Sequence, residues 1–211
     1  LFLYLCMNST EIFNATTAAK ELENISVSTI ENYIEALKMS NLIYLAKPMN
    51  VGSKGALKGK PKIFIADAAI RNAVLMIDDV LSDEKELGIM VETAVYKHMV
   101  SFYQGSPAQL GYFRKAKDNQ KEVDVVVKLP RDEILCEVKY RNQSSIPATD
   151  AIVELCRDEK EKISNAFLIT KRLDDFGITK HETVTPILRV PAIAFLYLLG
   201  KSEAEGRNGK L

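Results

Sequence analysis

Apolar residues near the start of the chain recur first at helical spacing and then at strand spacing. Those within residues 30–37 follow the three-to-four spacing of one buried helix face, and Ser26 or Ser28 precedes them as an N-cap. The pattern predicts two helices joined by a tight turn. Two short apolar runs, over residues 42–46 and 62–66, predict the strands that follow.

The order helix, turn, helix, strand, loop, strand is typical of a winged helix-turn-helix. Residues 47–62, which form the predicted wing, contain five lysines and no acidic residue. Lys54, Lys58 and Lys60 are therefore candidate contacts for nucleic acid. The preceding helix carries two glutamates against one lysine and is poorly suited to phosphate. A role as a protein-interaction joint consequently stays open for this segment.

The pattern changes after Ala66 and predicts a second domain. The expected elements, in chain order, are a helix opened by Asp67, a helix over 84–102, strands over 110–116, 121–128 and 133–140, a helix over 148–165, strands over 166–170 and 184–190, and a helix over 193–199. This order predicts an α/β (α+β) fold with a mixed sheet flanked by helices. We expect a winged-helix domain over residues 1–66, the sheet domain over 67–200 and a flexible tail over 201–211.

Strict alternation in the strand over 121–128 separates its charged and apolar residues. Glu122, Asp124 and Val126 are predicted to share one face of the sheet, and Val123 and Val125 the other. The turn that follows is short, so this strand and the next form a hairpin. The two faces of the hairpin are therefore expected to differ in chemistry.

Acidic residues of this hairpin are predicted to converge on one face. Asp124 and Glu137 lie on neighbouring antiparallel strands, Lys139 follows two residues later, and Glu92 lies beside the apolar face of the preceding helix. Carboxylate oxygens are suitable ligands for Mg²⁺ or Mn²⁺, which polarise phosphodiesters and activate water. On its own, Glu137-x-Lys139 is more simply a surface ion pair; the ordered set of three acids and a lysine favours a metal site.

Glu92 on a helix, Asp124 on a strand and Glu137-Val138-Lys139 on the next strand resemble the PD-(D/E)xK nuclease superfamily, although Val123 replaces its proline. The segments LGIMVETAVYKHM, YFRKAKDNQKEVDVVV and ILCEVKYRNQ further resemble the C-terminal half of a prokaryotic AAA-type ATPase family.

The resemblance implies a role for each residue of the set. Asp124 and Glu137 would be metal ligands, Glu92 would assist the metal or water, Lys139 would be the catalytic lysine, and Arg114 would contact phosphate. It also implies Mg²⁺ or Mn²⁺ as cofactor, DNA as partner, and ATP bound only by an N-terminal ATPase domain outside this chain.

Composition limits the remaining alternatives. The 211 residues carry no net charge, 47% are hydrophobic and 27% are charged, which excludes a disordered tail and a uniformly basic DNA binder. The three cysteines lack metal-ligand spacing and fit a reducing cytoplasm. No apolar run is long enough to span a membrane. The chain begins inside an apolar, helix-like pattern at Leu1, so we expect a C-terminal fragment.

Three functions therefore stay open: a metal-dependent endonuclease module, a catalytically silent DNA-binding or regulatory module, and a protein-interaction module of the ATPase. No P-loop is recognised in the chain, because the nearest match, GALKGKP, has the wrong glycine spacing and Pro61 at the Ser/Thr position.

Overall fold

The computed structural model describes residues 1–23, 25–52, 59–115, 118–143, 145–158 and 162–206, with the side chains of 118–120 outside that description. The chain divides into two compact units, residues 1–47 with 58–97 and residues 48–57 with 98–211. Helices, parallel strands and antiparallel strands all occur, which confirms the predicted mixed α/β fold class.

The first unit consists of helices followed by a hairpin and further helices. Its elements are α1 (Phe2–Met7), α2 (Ala15–Glu21), α3 (Val27–Met39), β1 (Ile43–Pro48), β2 (Lys62–Ile65), α4 (Ala68–Leu75) and the first part of α5 (Glu84–Phe102). Asn14, Ser26 and Asp67 cap α2, α3 and α4, and each side chain accepts a hydrogen bond from a backbone amide of the first turn. The predicted helix starts in this region are thus confirmed, and Ser26 is the N-cap of α3.

Apolar residues from α1, α3 and the hairpin form the core of the first unit. Leu5 and Ile30 are buried with Ile43 and Ile65, which face each other across the antiparallel pair β1–β2. Arg71 of α4 is also buried, and its guanidinium bonds to the carboxylate of Glu86, while Nε donates to the carbonyl of Cys6 at 3.0 Å. The buried positive charge of Arg71 is therefore compensated by the carboxylate of Glu86 and hydrogen-bonded by the carbonyl of Cys6, both within the same unit.

The second unit contains a six-stranded mixed sheet with the order β3-β4-β5-β6-β8-β7. Its elements are the end of α5, β3 (Gln109–Lys115), β4 (Asp118–Lys128), β5 (Glu133–Lys139), α6 (Ala151–Arg157), β6 (Ile163–Thr170), β7 (Gly177–Ile178), β8 (Ile187–Pro191) and α7 (Ala192–Ala204). β3, β4 and β5 are antiparallel, whereas β5, β6 and β8 run parallel. The C-terminal ends of the three parallel strands therefore lie at one edge, where open α/β sheets commonly bind ligands.

A bulge in β4 overturns the strict alternation expected there. The pairing of Gly111 with Val126 shifts by one residue at Phe113, which pairs with Val123. Val123 and Val126 consequently belong to the same core cluster, which also contains Leu135 and residues of α6. The prediction that Val123 and Val126 lie on opposite faces is wrong, because a bulge places an extra residue in one strand and reverses the alternation beyond it.

Other elements differ in length from the sequence prediction. The helix expected over 148–165 is only α6, since β6 already begins at Ile163, and the two-residue strand β7 was not predicted. α7 continues to Ala204, so the first residues of the expected tail are helical. The helix over 84–102 is confirmed. Within the described ranges, no helix is both long and apolar enough to cross a membrane.

Candidate metal centre

Asp124 is joined to β5 through a backbone hydrogen bond. Its Oδ2 accepts from the amide of Val138 at 2.9 Å. Val125 pairs with Cys136 in the neighbouring strand, so Asp124 and Glu137 are both next to this pair. The two carboxylates are close enough for the charge of Asp124 to raise the pKa of Glu137. The structure therefore brings these two predicted carboxylates together.

Glu137 is buried although it carries an ionisable group. Its side chain is among the most buried polar groups of the chain, at 3% exposure, and Oε2 has no hydrogen-bond partner among the described residues. Burial first, and then the negative charge of Asp124, raise the pKa of Glu137 well above its usual range, although Lys139 opposes the shift. A buried carboxylate oxygen without a partner is costly, and such groups are often explained by an ion or ligand that completes them.

Lys139 supplies the positive charge of this group. Its Nζ bonds to Oε1 of Glu137, and a quarter of the side chain is exposed. Burial alone would lower the pKa of Lys139, but the charges of Glu137 and Asp124 outweigh it and raise that pKa. The ammonium is therefore held in its charged form beside the two carboxylates.

Asp150 belongs to the electrostatic environment of this group but was not among the predicted site residues. It caps α6, where its Oδ1 accepts from the amide of Ile152 at 3.4 Å. Its negative charge contributes to raising the pKa of both Glu137 and Lys139. The cap signal was present in the sequence, but the predicted helix starts at Ala148, three residues before the observed start at Ala151, which hid it.

Glu92 lies in the first unit, on α5. Its Oε1 accepts from Nζ of Lys62 at 3.2 Å, and both side chains are largely buried. Lys62, one of the five lysines of the predicted wing, instead lies in β2, and its buried side chain pairs with Glu92 of α5. The role of Glu92 as a metal or water ligand stays a prediction.

The predicted nucleic-acid contacts have different outcomes. Lys54 and Lys58 lie outside the described residues, and Lys60 is exposed at the start of the segment leading into β2. Arg114 pairs in register with Glu122, with 3.8 Å between Nε and Oε2. Because Phe113 packs against the core cluster around Val123, alternation places Arg114 on the other face of β3. A phosphate contact by any of these residues stays a prediction.

A hard divalent cation such as Mg²⁺ requires oxygen ligands, which the carboxylates of this group could supply. Among the described residues, no three Asp, Glu, His or Cys side chains are grouped so that they could hold a metal ion. Mg²⁺, however, is commonly held by one or two carboxylates together with water and substrate phosphate. Asp124 and Glu137 fit that smaller requirement, because the two carboxylates interact electrostatically and one oxygen of Glu137 lacks a partner among the described residues.

Comparison with known families gave two matches. Residues 87–190 match a family described as Domain of unknown function (DUF4143), and residues 1–81 match one described as Domain of unknown function (DUF8612). No match was found among curated proteins. The stretch that contains Asp124, Glu137 and Lys139 is therefore similar to DUF4143, a domain found in C-terminal regions associated with AAA-type ATPases.

Proposed function

We propose that the second unit is a Mg²⁺- or Mn²⁺-dependent DNA endonuclease module of an AAA-type ATPase. The observation that carries the proposal is Glu137: a buried carboxylate with an unpartnered oxygen, near Asp124 and bonded to Lys139. A cation with two positive charges would offset the repulsion between the carboxylates and provide the missing partner for Oε2. The similarity of residues 87–190 to an ATPase-associated domain supports the ATPase context.

The residues of the group would have distinct roles. Asp124 and Glu137 would hold the cation, with the carbonyl oxygen of Val138 as a further ligand. The bound cation would supply Lewis-acid activation of a phosphodiester and of water. Lys139 would stabilise negative charge that develops on the phosphoryl oxygens, since its ammonium is held charged.

The first unit would contribute nucleic-acid binding as a winged helix. Three helices precede an antiparallel hairpin, as in that fold, and the segment joining β1 to β2 is rich in lysine. Lys54, Lys58 and Lys60 would contact phosphates through this segment. DNA binding that falls steeply with salt, and that is weakened in the triple alanine variant, is the expected result. An unchanged affinity would contradict this part of the proposal.

Two variants on one strand test the metal site. Glu137→Gln removes the charge of the site carboxylate, while Glu133→Gln changes another buried glutamate of β5 that pairs with Lys128 at 3.3 Å. Mn²⁺ binding is measured by electron paramagnetic resonance, and cleavage is followed on single-stranded, duplex and branched DNA. We expect binding and cleavage by wild type and by Glu133→Gln, and neither by Glu137→Gln.

Absence of cleavage by the wild-type chain, with Mn²⁺ bound, would favour a second function. In that case the unit would be a catalytically silent DNA-binding or protein-interaction module of the ATPase. This alternative is supported by the finding that the described residues contain no group of three potential metal ligands. Absence of Mn²⁺ binding as well would refute the metal site itself.

A further inference from the structure

A patch of polar side chains extends from the candidate metal centre across the three parallel strands. Glu137 of β5 pairs with Leu168 of β6, and Leu168 pairs with Arg189 of β8. Two residues further along β5 and β6, Lys139 pairs with Thr170. Residues in the same row, or two apart on one strand, lie on the same sheet face. Glu137, Lys139, Thr170 and Arg189 thus surround Leu168 near the C-terminal ends of β5, β6 and β8, and we call them the polar patch.

Buried polar atoms without a partner are concentrated in this patch. Among the residues that the structure describes, seven buried side-chain oxygen or nitrogen atoms lack a hydrogen-bond partner. Three of the seven are Oε2 of Glu137, Oγ1 of Thr170 and Nε of Arg189. Native proteins leave few such atoms, so three of them in one patch indicate a place that a ligand completes.

The guanidinium of Arg189 is only partly used by the protein. Nη1 bonds to Oδ1 of Asp175 at 2.9 Å, and the Asp175 side chain is only 8% exposed. Nε–H has no acceptor in the described part of the chain, although a third of the Arg189 side chain is exposed. A guanidinium offers five N–H donors in a planar fork, and the exposed third of the Arg189 side chain is accessible to an anion.

Arg189 lies at a suitable distance from the carboxylates for a shared substrate. Two strand spacings separate it from Glu137, which corresponds to about 10 Å between the backbones. The side chains of both residues rise from the same sheet face, so a nucleic-acid strand with one phosphate near Glu137 places a neighbouring phosphate near Arg189. Thr170, on the strand between them, is completely buried, so its hydroxyl does not face the substrate.

We propose that Arg189 forms a subsite for a second backbone phosphate of the nucleic acid, next to the carboxylates of Asp124 and Glu137. This inference rests on the proposed function for its choice of ligand. Asp175 orients the guanidinium and leaves its remaining donors for the phosphate. The subsite contributes to binding of the strand and not to activation of water.

The test measures DNA binding without cleavage, so that its failure is distinct from failure of the nuclease proposal. Fluorescence anisotropy of labelled single-stranded and duplex oligonucleotides is recorded in EDTA across a salt series. The variants are Arg189→Ala, Asp175→Asn and Thr170→Val. Arg172→Ala is the matched control, because Arg172 is an exposed arginine near the same sheet edge and pairs with Asp174. Inorganic phosphate is added as a competitor to distinguish recognition of free phosphate from recognition of the DNA strand.

We expect Arg189→Ala to weaken DNA binding about tenfold and to reduce the salt slope by about 0.7 for single strands and 0.9 for duplex. Asp175→Asn leaves the guanidinium in place, so we expect binding within about twofold of wild type, as for Arg172→Ala. We expect Thr170→Val to leave DNA binding within about twofold of wild type, because that side chain is completely buried, and inorganic phosphate to compete only weakly.

Two results would overturn the subsite. If Arg189→Ala and Asp175→Asn lower the melting temperature equally while DNA affinity stays at the wild-type value, Arg189 serves only to hold Asp175. If Arg172→Ala weakens binding as much as Arg189→Ala, the effect is general surface charge. Arg189→Lys distinguishes loss of the phosphate contact from misfolding of the Arg189→Ala protein. The lysine keeps the positive charge and the salt slope but lacks the planar fork of donors. Loss of the slope in Arg189→Lys as well would contradict the charge contribution.

Discussion

Replacement of Asp124 by asparagine and by alanine separates the structural and the chemical contributions of this carboxylate. Oδ2 of Asp124 accepts the amide hydrogen of Val138. Asparagine retains an acceptor oxygen of similar shape, whereas alanine leaves the amide without a partner. Only the negative charge is lost in Asp124→Asn, so any function that needs the charge disappears while the hairpin stays intact.

The magnitudes follow from the contact and its surroundings. Loss of the acceptor for the partly buried amide costs about 2 kcal/mol in Asp124→Ala, which lowers the melting temperature by roughly 4–8 °C for a chain of this size. In Asp124→Asn a charged acceptor becomes a neutral one, a loss of about 1 kcal/mol. That loss is opposed by removal of the repulsion with Glu137, whose pKa Asp124 helps to raise. The net change for Asp124→Asn is therefore within about 1 kcal/mol of zero.

The assay combines thermal unfolding by circular dichroism in EDTA with Mn²⁺ binding and DNA cleavage on the same preparations. We expect Asp124→Asn to melt close to wild type and to lose Mn²⁺ binding and cleavage. Equal destabilisation by Asn and Ala would refute the hydrogen-bond argument, since the two differ in that acceptor. Cleavage by Asp124→Asn at the wild-type rate would refute the role of the charge in the metal site.

Three further predictions concern buried ionisable groups. Burial and the charge of Asp124 raise the pKa of Glu137, so the native metal-free protein holds a proton that the unfolded chain releases. The melting temperature should therefore fall as the pH rises above the usual Glu range, and it should fall less in Glu137→Gln. Parallel pH profiles of the two proteins would contradict this prediction. Arg71→Met should destabilise the first unit to urea by about 3 kcal/mol because Glu86 is left buried without its partner, and a change below about 1 kcal/mol would contradict the ion pair. Burial raises the pKa of the Cys156 thiol to about 12 and that of Cys136 above its usual range, so neither should react with a disulfide reagent until urea is added; rapid modification of the native protein would contradict their burial.

Local signals in the sequence predicted the elements whose start is determined by local chemistry. Ser26 caps α3 and Asp67 caps α4 through hydrogen bonds to the first turn, and these contacts need no distant partner. The β4–β5 hairpin was predictable for the same reason, because four residues join its strands. Asp124 and Glu137 could therefore be brought together from spacing alone.

Features that depend on a distant strand could not be predicted in this way. The bulge that moves Val123 to the face of Val126 arises from pairing with β3, and nothing within β4 marks it. The burial of Glu137 likewise depends on β6, which lies parallel to β5 and covers its other side. The sequence Glu137-x-Lys139 taken alone is typical of a surface ion pair. In the structure the carboxylate of Glu137 is buried, and the Lys139 side chain that pairs with it is a quarter exposed.

Arg189 illustrates this limit most clearly, because its relation to Glu137 depends on the order of strands. β6 pairs with β8 and not with β7, which lies outside β8 at the edge of the sheet. If β7 had followed β6 in space as it does in sequence, Arg189 would be one strand further from Glu137. The observed order keeps the backbones of the two residues about 10 Å apart with both side chains on one face, close enough for neighbouring phosphates of one strand. The same variants that test the subsite therefore also test whether this strand order brings two parts of one functional surface together.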